Sequence, residues 1–130
     1  MDMGLKGKTA VVTASSLGLG KAMALGLAQE GANVTICARR NEHLQTTKNE
    51  IENTGAQVLS IEADMNSKTD IEKVITETVS KFGKLDILIN NAGDAEVGRK
   101  IEDEDDVWQA MYDICSVSYT HLTLPTILLV

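Results

Sequence analysis

The sequence predicts an α/β fold, a doubly wound parallel sheet with helical crossovers, carried through about four strands. Three observations predict it. Short β-rich runs alternate with segments of helical periodicity from Thr9 to Ile114. The first run, Thr9-Ala-Val-Val-Thr13, is apolar enough for a strand buried on both faces of a parallel sheet. A glycine-bearing turn, Thr13-Ala-Ser-Ser-Leu-Gly-Leu-Gly20, follows it and leads straight into the first helix.

Each element has its own signal. Lys21 to Gln29 carries Ala22, Met23, Leu25, Leu27 and Ala28, good helix formers with a wide apolar face, and Gly31 ends that helix. Asn33-Val-Thr-Ile-Cys-Ala38 is a second strand. Asn41 reads as the N-cap of a polar-faced helix to about Asn53, carrying Leu44 and Ile51. Gln57 to Glu62 alternates and reads as a third strand. Lys68 to Phe82 has Ile71, Val74, Ile75, Val79 and Phe82 at helical spacing, acids near its start, Lys81 near its end and Gly83 as a stop. Leu85-Asp-Ile-Leu-Ile89 is a fourth strand, Asp94 to Lys100 a loop, and Asp103 to about Ile114 a further amphipathic helix. Right-handed crossovers follow from this alternation, and the doubly wound order sets the first strand beside the fourth.

Composition narrows the function classes. Net charge is −7 with no basic tract, which argues against nucleic-acid or acidic-membrane binding through charge. No apolar run reaches the roughly 20 residues of a membrane span. The N-terminus, Met1-Asp-Met-Gly-Leu-Lys, has no apolar signal core, so a reducing cytoplasm is expected. Cys37 and Cys115 stand far apart, Cys37 reading as a buried free thiol, and neither His43 nor His121 has a ligand cluster around it. No metal site is expected.

The turn is where chemistry enters. Gly18 and Gly20 lack a Cβ, so a pyrophosphate and the helix can both approach the backbone. The helix N-terminus supplies N–H donors and partial positive charge, and Ser15 and Ser16 can add hydroxyl donors. The segment resembles the T-G-x-x-x-G-x-G turn of the short-chain dehydrogenase/reductase family, with Ala14 at the first glycine. One methyl separates the two, which is tolerable where that position takes an ordinary φ. Asp64-Met65 resembles the family's acidic-apolar pair at the adenine edge, and Asn90-Asn-Ala-Gly93 its N-N-A-G after the fourth strand. The resemblance spans Gly4 to about Ile114 and implies a Rossmann-like sheet. Its implied cofactor-binding set is Thr13, Ala14, Ser15, Ser16, Leu17, Gly18, Leu19, Gly20, Arg39, Asp64, Met65, Asn91, Ala92 and Gly93.

NADP is favoured over NAD. An acid at the end of the second strand would accept a ribose 2′-OH, but the strand ends Cys37-Ala38-Arg39-Arg40, and a guanidinium pairs with a 2′-phosphate. The family's other NADP signal, a basic residue just before the middle glycine, is replaced by Leu17.

The resemblance implies carbonyl reduction or alcohol oxidation by hydride transfer, on a small carbonyl or alcohol or a 3-oxoacyl thioester. The family's general acid/base is a tyrosine with a lysine four residues later. Tyr112 is followed there by Ser116 and Tyr119 by Thr123, and Cys115 stands where the family's helix asparagine would be. No catalytic residue is assigned. Residues 1–115 are thus expected to be the N-terminal part of a dinucleotide-binding domain, inactive alone and a homo-oligomer when complete. A non-catalytic nucleotide-binding module is the alternative. Val117-Ser-Tyr-Thr-His-Leu-Thr-Leu-Pro-Thr126 also resembles a one-frame translation of a common transposase-type sequencing adapter, so residues 116–130 are expected to be a non-native tail.

Overall fold

The computed structural model describes residues 2–91. The elements run β1 (Thr9–Val12), α1 (Gly18–Gln29), β2 (Asn33–Ala38), α2 (Asn41–Glu52), β3 (Val58–Glu62), α3 (Lys68–Phe82) and β4 (Ile87–Ile89). The four strands form one parallel sheet in the order β3-β2-β1-β4. Ala10, Val11 and Val12 lie beside Ile87, Leu88 and Ile89, the expected neighbourhood of first and fourth strands.

Strand parity divides the core in two. Val12, Val34, Ile36 and Val58 point to one face and pack with Ala24 and Ala28 of α1 and Leu44 and Ile51 of α2. Val11, Cys37 and Ile61 point to the other and pack with Ile71, Val74 and Ile75 of α3. Two successive crossovers step outward from β1 and place α1 and α2 together. The third returns past β1 to β4 and places α3 opposite. The order therefore reverses between β1 and β4, and a crevice opens at the strands' carboxyl ends.

Local starts and stops depart from the sequence expectation in four places, each with a physical reason. α1 begins at Gly18 rather than Lys21, because the Lys21 N–H reaches the Leu17 carbonyl at 3.4 Å and closes an extra turn. Its buried face is the small-residue stripe Gly20, Ala24 and Ala28, which brings the helix close to the sheet. Asn41 is inside α2 rather than its cap: its Oδ1 accepts from Gln45 Nε2 at 2.9 Å, and Glu42 serves the helix start instead. β3 is an outer strand of the described sheet, so Leu59 and Ser60 are both half-buried and strict alternation is lost. By contrast α3 has the predicted bounds, with the Ser67 hydroxyl accepting from the Asp70 N–H and Gly83 left-handed at its end.

The fourth departure is at β4, which starts at Ile87 rather than Leu85. Asp86 donates its N–H to the Thr9 carbonyl at 2.9 Å, while its carboxylate Oδ2 accepts the Thr9 N–H at 2.9 Å. A side chain thus takes the slot a strand carbonyl would fill. The Thr9 N–H holds the Asp86 carboxyl below its ordinary pKa; partial burial opposes this, and Lys84 at 3.4 Å adds to the lowering. The loop at Asp94 to Lys100 and the helix from Asp103 lie outside the described residues.

Because the native pKa of Asp86 is depressed, its contribution is complete above the ordinary carboxylate value of about 3.9 and is lost as pH falls through the native one. Asp86→Ala is expected to lower stability at neutral pH and to make urea denaturation less sensitive to acidification toward about pH 3. Equal acid sensitivity in both proteins would show that this carboxylate does not pin the strand.

Candidate functional site

Four consecutive residues of the β1–α1 turn are tied down, two to the end of β4, one to β2 and one to α2. Thr13 donates its N–H to the Ile89 carbonyl at 3.1 Å, and its Oγ1 accepts the Asn91 N–H at 2.8 Å. The Ala14 carbonyl accepts Asn91 Nδ2 at 3.2 Å. Ser15 donates its N–H to the Cys37 carbonyl at 3.0 Å; its hydroxyl donates to the Val12 carbonyl at 2.7 Å and accepts the Cys37 N–H at 3.1 Å. The Ser16 carbonyl accepts the Thr47 hydroxyl of α2 at 2.8 Å.

Above that floor the turn is open. Gly18 has φ +60, and a Cβ there would meet nothing within 4 Å. The α1 cap residue, Leu17, is extended and offers no side-chain cap, and the first turn carries no acid. The α2 and α3 starts have Glu42 and Asp70 instead. The Gly18, Leu19 and Gly20 N–H groups occupy the helix positions that lack intrahelical acceptors, where partial positive charge collects. Leu17 and Leu19 flank them, 54% and 70% exposed. Gly20 faces inward. A Cβ there would stand 2.5 Å from both the Ala14 carbonyl oxygen and Asn91 Nδ2.

Beside the turn, an open groove of about 460 Å³ runs along the ends of β2 and β3 and the start of α3, lined by Arg39, Glu62, Ala63, Asp64, Asp70 and Lys73. Arg39 follows β2 immediately and is exposed. Asp64 Oδ1 accepts the Asn66 N–H at 2.9 Å, and Asp70 Oδ2 accepts the Asp64 N–H at 2.9 Å, so the β3–α3 turn is fixed by its own carboxylates. The two regions together present anion-binding amides, a guanidinium and a carboxylate edge along one side of the sheet.

The structure brings Thr13, Ala14, Ser15, Ser16, Gly20 and Asn91 into one junction and sets Arg39 and Asp64 in one groove. Ala92 and Gly93 lie outside the described residues, as do Cys115, Tyr112, Tyr119 and residues 116–130. Two expectations are corrected. Ala14 does not take an ordinary φ; at +50 it is the one positive-φ residue other than glycine among the described residues. Ser15 is fully buried and its single hydroxyl hydrogen is given to Val12, so it shapes the turn and has no donor left for a phosphate. Met65, beside Asp64, is 4% exposed and packs its side chain with Val11 and Ile61.

Sequence reasoning missed Thr47, Glu62, Asp70 and Lys73. Thr47 had a signal: it is a polar residue in the buried stripe Leu44, Thr47, Ile51. Cys37 is the expected buried thiol, pushed up to about 12 by burial and so closed to nucleophilic chemistry. Among the described residues no His, Cys, Asp and Glu group could hold a metal ion, and no helix is long and apolar enough to cross a membrane.

Comparison with known proteins agrees with this geometry. The family model described as short chain dehydrogenase matches residues 8–127. An uncharacterised oxidoreductase of Bacillus subtilis, YvaG, is 36% identical over 123 residues, covering 95% of this chain and 46% of that protein. L-sorbose reductase from Gluconobacter frateurii, solved with NADPH and L-sorbose, superposes with a TM-score of 0.88 at 34% identity, covering 98% of this chain and 50% of that one. An NAD+-bound xylitol dehydrogenase superposes with a TM-score of 0.87 at 27% identity, covering 95% and 47%. The chain spans less than half the length of the curated relatives it matches.

Two substitutions test the junction. Gly20→Ala is expected to cost several kcal/mol or prevent folding, because the methyl meets the Ala14 carbonyl oxygen and the Asn91 side-chain amide hydrogen-bonded to it. Ala14→Gly is expected to raise stability by about 0.5–1 kcal/mol, since it removes the left-handed alanine. Urea denaturation of both variants checks the pair; a destabilised Ala14→Gly would mean that the turn carries no strain there.

Proposed function

The chain belongs to the short-chain dehydrogenase family, and from that premise we propose that its β1–α1 turn and groove hold a nicotinamide dinucleotide for hydride transfer between an alcohol and a carbonyl. The single observation that carries the reading is the first turn of α1, which has no side-chain cap and no acid, begins at a glycine with open space where a Cβ would stand, and follows a turn locked from below by Asn91. That shape suits a pyrophosphate. The Gly18, Leu19 and Gly20 amides would take the phosphates, with the Ser16 hydroxyl beside them. Thr13, Ala14 and Ser15 would hold the turn in shape. Asp64 and the backbone of Met65 would meet the adenine edge. Asn91 would secure the strand end, with Ala92 and Gly93 continuing toward the ribose. When bound, the nicotinamide supplies the hydride acceptor or donor; the residues of this chain bind and orient it.

NADP(H) is the preferred cofactor. β2 ends on Ala38, where an acid would bind a ribose 2′-OH, and Arg39 follows it into the groove. Relatives bound to NADPH and to NAD+ both share the fold, so the preference rests on these two residues. The complete protein is read as a cytoplasmic homo-oligomer acting on a small carbonyl or alcohol, its tyrosine and lysine supplied from outside this chain, which alone is inactive. Residues 116–130 are read as adapter-derived; source codons that depart from the adapter would return them to the domain.

Arg39→Ala is expected to lower the ratio of NADPH to NADH affinity about tenfold, the loss of one charge-assisted pair. Fluorescence titration of both cofactors into this chain measures it, and an unchanged ratio would remove the charge argument.

A further inference from the structure

We propose that Lys73, on the α3 wall of the groove, is a second charge determinant for the 2′-phosphate end of the dinucleotide; the proposal deepens and rests on the NADP reading above. The groove carries three carboxylates and two cations. Two carboxylates are spent on backbone: Asp70 on the Asp64 N–H and Asp64 Oδ1 on the Asn66 N–H. The cations are not spent. The ion pairs of the described residues are Lys21–Glu50, Lys48–Glu52 and Lys84–Asp86, and neither Arg39 nor Lys73 is in one.

For Lys73 this is informative, because helix geometry offers it Asp70 one turn before and Glu77 one turn after. Lys73 pairs with neither and lines the groove. Arg39 lines the same groove from the end of β2, so a strand end and a helix each bring a residue with an uncommitted cation to one space. The phosphate-turn position that a basic residue would fill holds the exposed Leu17. A phosphate monoester carries close to two negative charges near neutral pH, and a second cation raises its affinity over that of a bare ribose hydroxyl. Glu62, the remaining groove carboxylate, opposes that phosphate and makes the second cation count for more.

The test is calorimetric titration of this chain with adenosine 2′,5′-bisphosphate and adenosine 5′-monophosphate. Lys73→Gln is expected to weaken the bisphosphate roughly fivefold and leave the monophosphate unchanged. Lys73→Arg should restore the wild-type ratio, and Lys48→Gln, a charge change on α2, should leave it alone. A Lys73→Gln ratio equal to wild type, with Arg39→Ala still reducing it, overturns the Lys73 assignment and spares the NADP reading. Equal weakening of both ligands also overturns it, because the lysine would then serve the adenosine rather than the phosphate. A wild-type chain that binds the two nucleotides equally, or binds neither, defeats the NADP reading and the proposal with it.

Discussion

The junction of Ala14, Gly20 and Asn91 is the constraint on which the rest of the site depends. Gly20 has to be glycine, since any side-chain carbon would collide with the Ala14 carbonyl and with the amide that binds it. That closeness lets the first turn of α1 sit directly over the end of β1. Asn91 does two things there: its backbone N–H holds the Thr13 hydroxyl and its side chain holds the Ala14 carbonyl. The end of β4 is thereby tied to the turn that follows β1, across 77 residues of chain. Such a contact is available only because the sheet order puts β4 next to β1.

The same order explains why the groove has the walls it has. α3 crosses on the face opposite α1 and α2, so its first turns rise beside the carboxyl ends of β2 and β3. Arg39 leaves the sheet there, and Lys73 arrives from the helix. The buried Ser15 is the internal brace of this region. It binds the Val12 carbonyl and both backbone groups of Cys37, which joins β1 to β2 just where their regular pairing ends. A brace of this kind matters more at a strand end than in its middle, because there the ladder no longer supplies partners.

Much of the fold was legible because its signals are local and periodic. The bounds of β2 and α3 follow from apolar runs closed by turn residues, and the alternation of strand and helix leaves few topologies. The start of α1 was not legible, because Gly18 and Gly20 read as loop by propensity and tertiary contact overrides it. Side-chain direction was the harder limit. A serine in a phosphate turn has the same chemistry whether its hydrogen goes to a ligand or to a carbonyl beneath it, and nothing in Ser15 and Ser16 as letters says which one is buried. Met65 shows the same limit: its letter does not say that the side chain packs into the core beside Ile61. Lys73 carried no motif, because its place in the groove is set by the crossover and not by its neighbours.

Ala14 is the most telling departure, because it keeps the geometry of a glycine without being one. A left-handed alanine costs about 1 kcal/mol or more and persists only where its surroundings insist on it. Here they do. The peptide that follows it is held on both edges, its carbonyl by Asn91 Nδ2 and its N–H, on Ser15, by the Cys37 carbonyl, and the Thr13 N–H one residue earlier is held by the Ile89 carbonyl, so relaxing φ would disturb several hydrogen bonds to relieve one methyl contact. The strain is therefore carried by the contacts of the turn with Asn91 and Cys37, and the turn keeps its shape at the start of α1. A turn already held in that shape spends little binding energy on ordering itself around an anion. The methyl is therefore expected to lower the stability of the domain while leaving the shape of the turn unchanged.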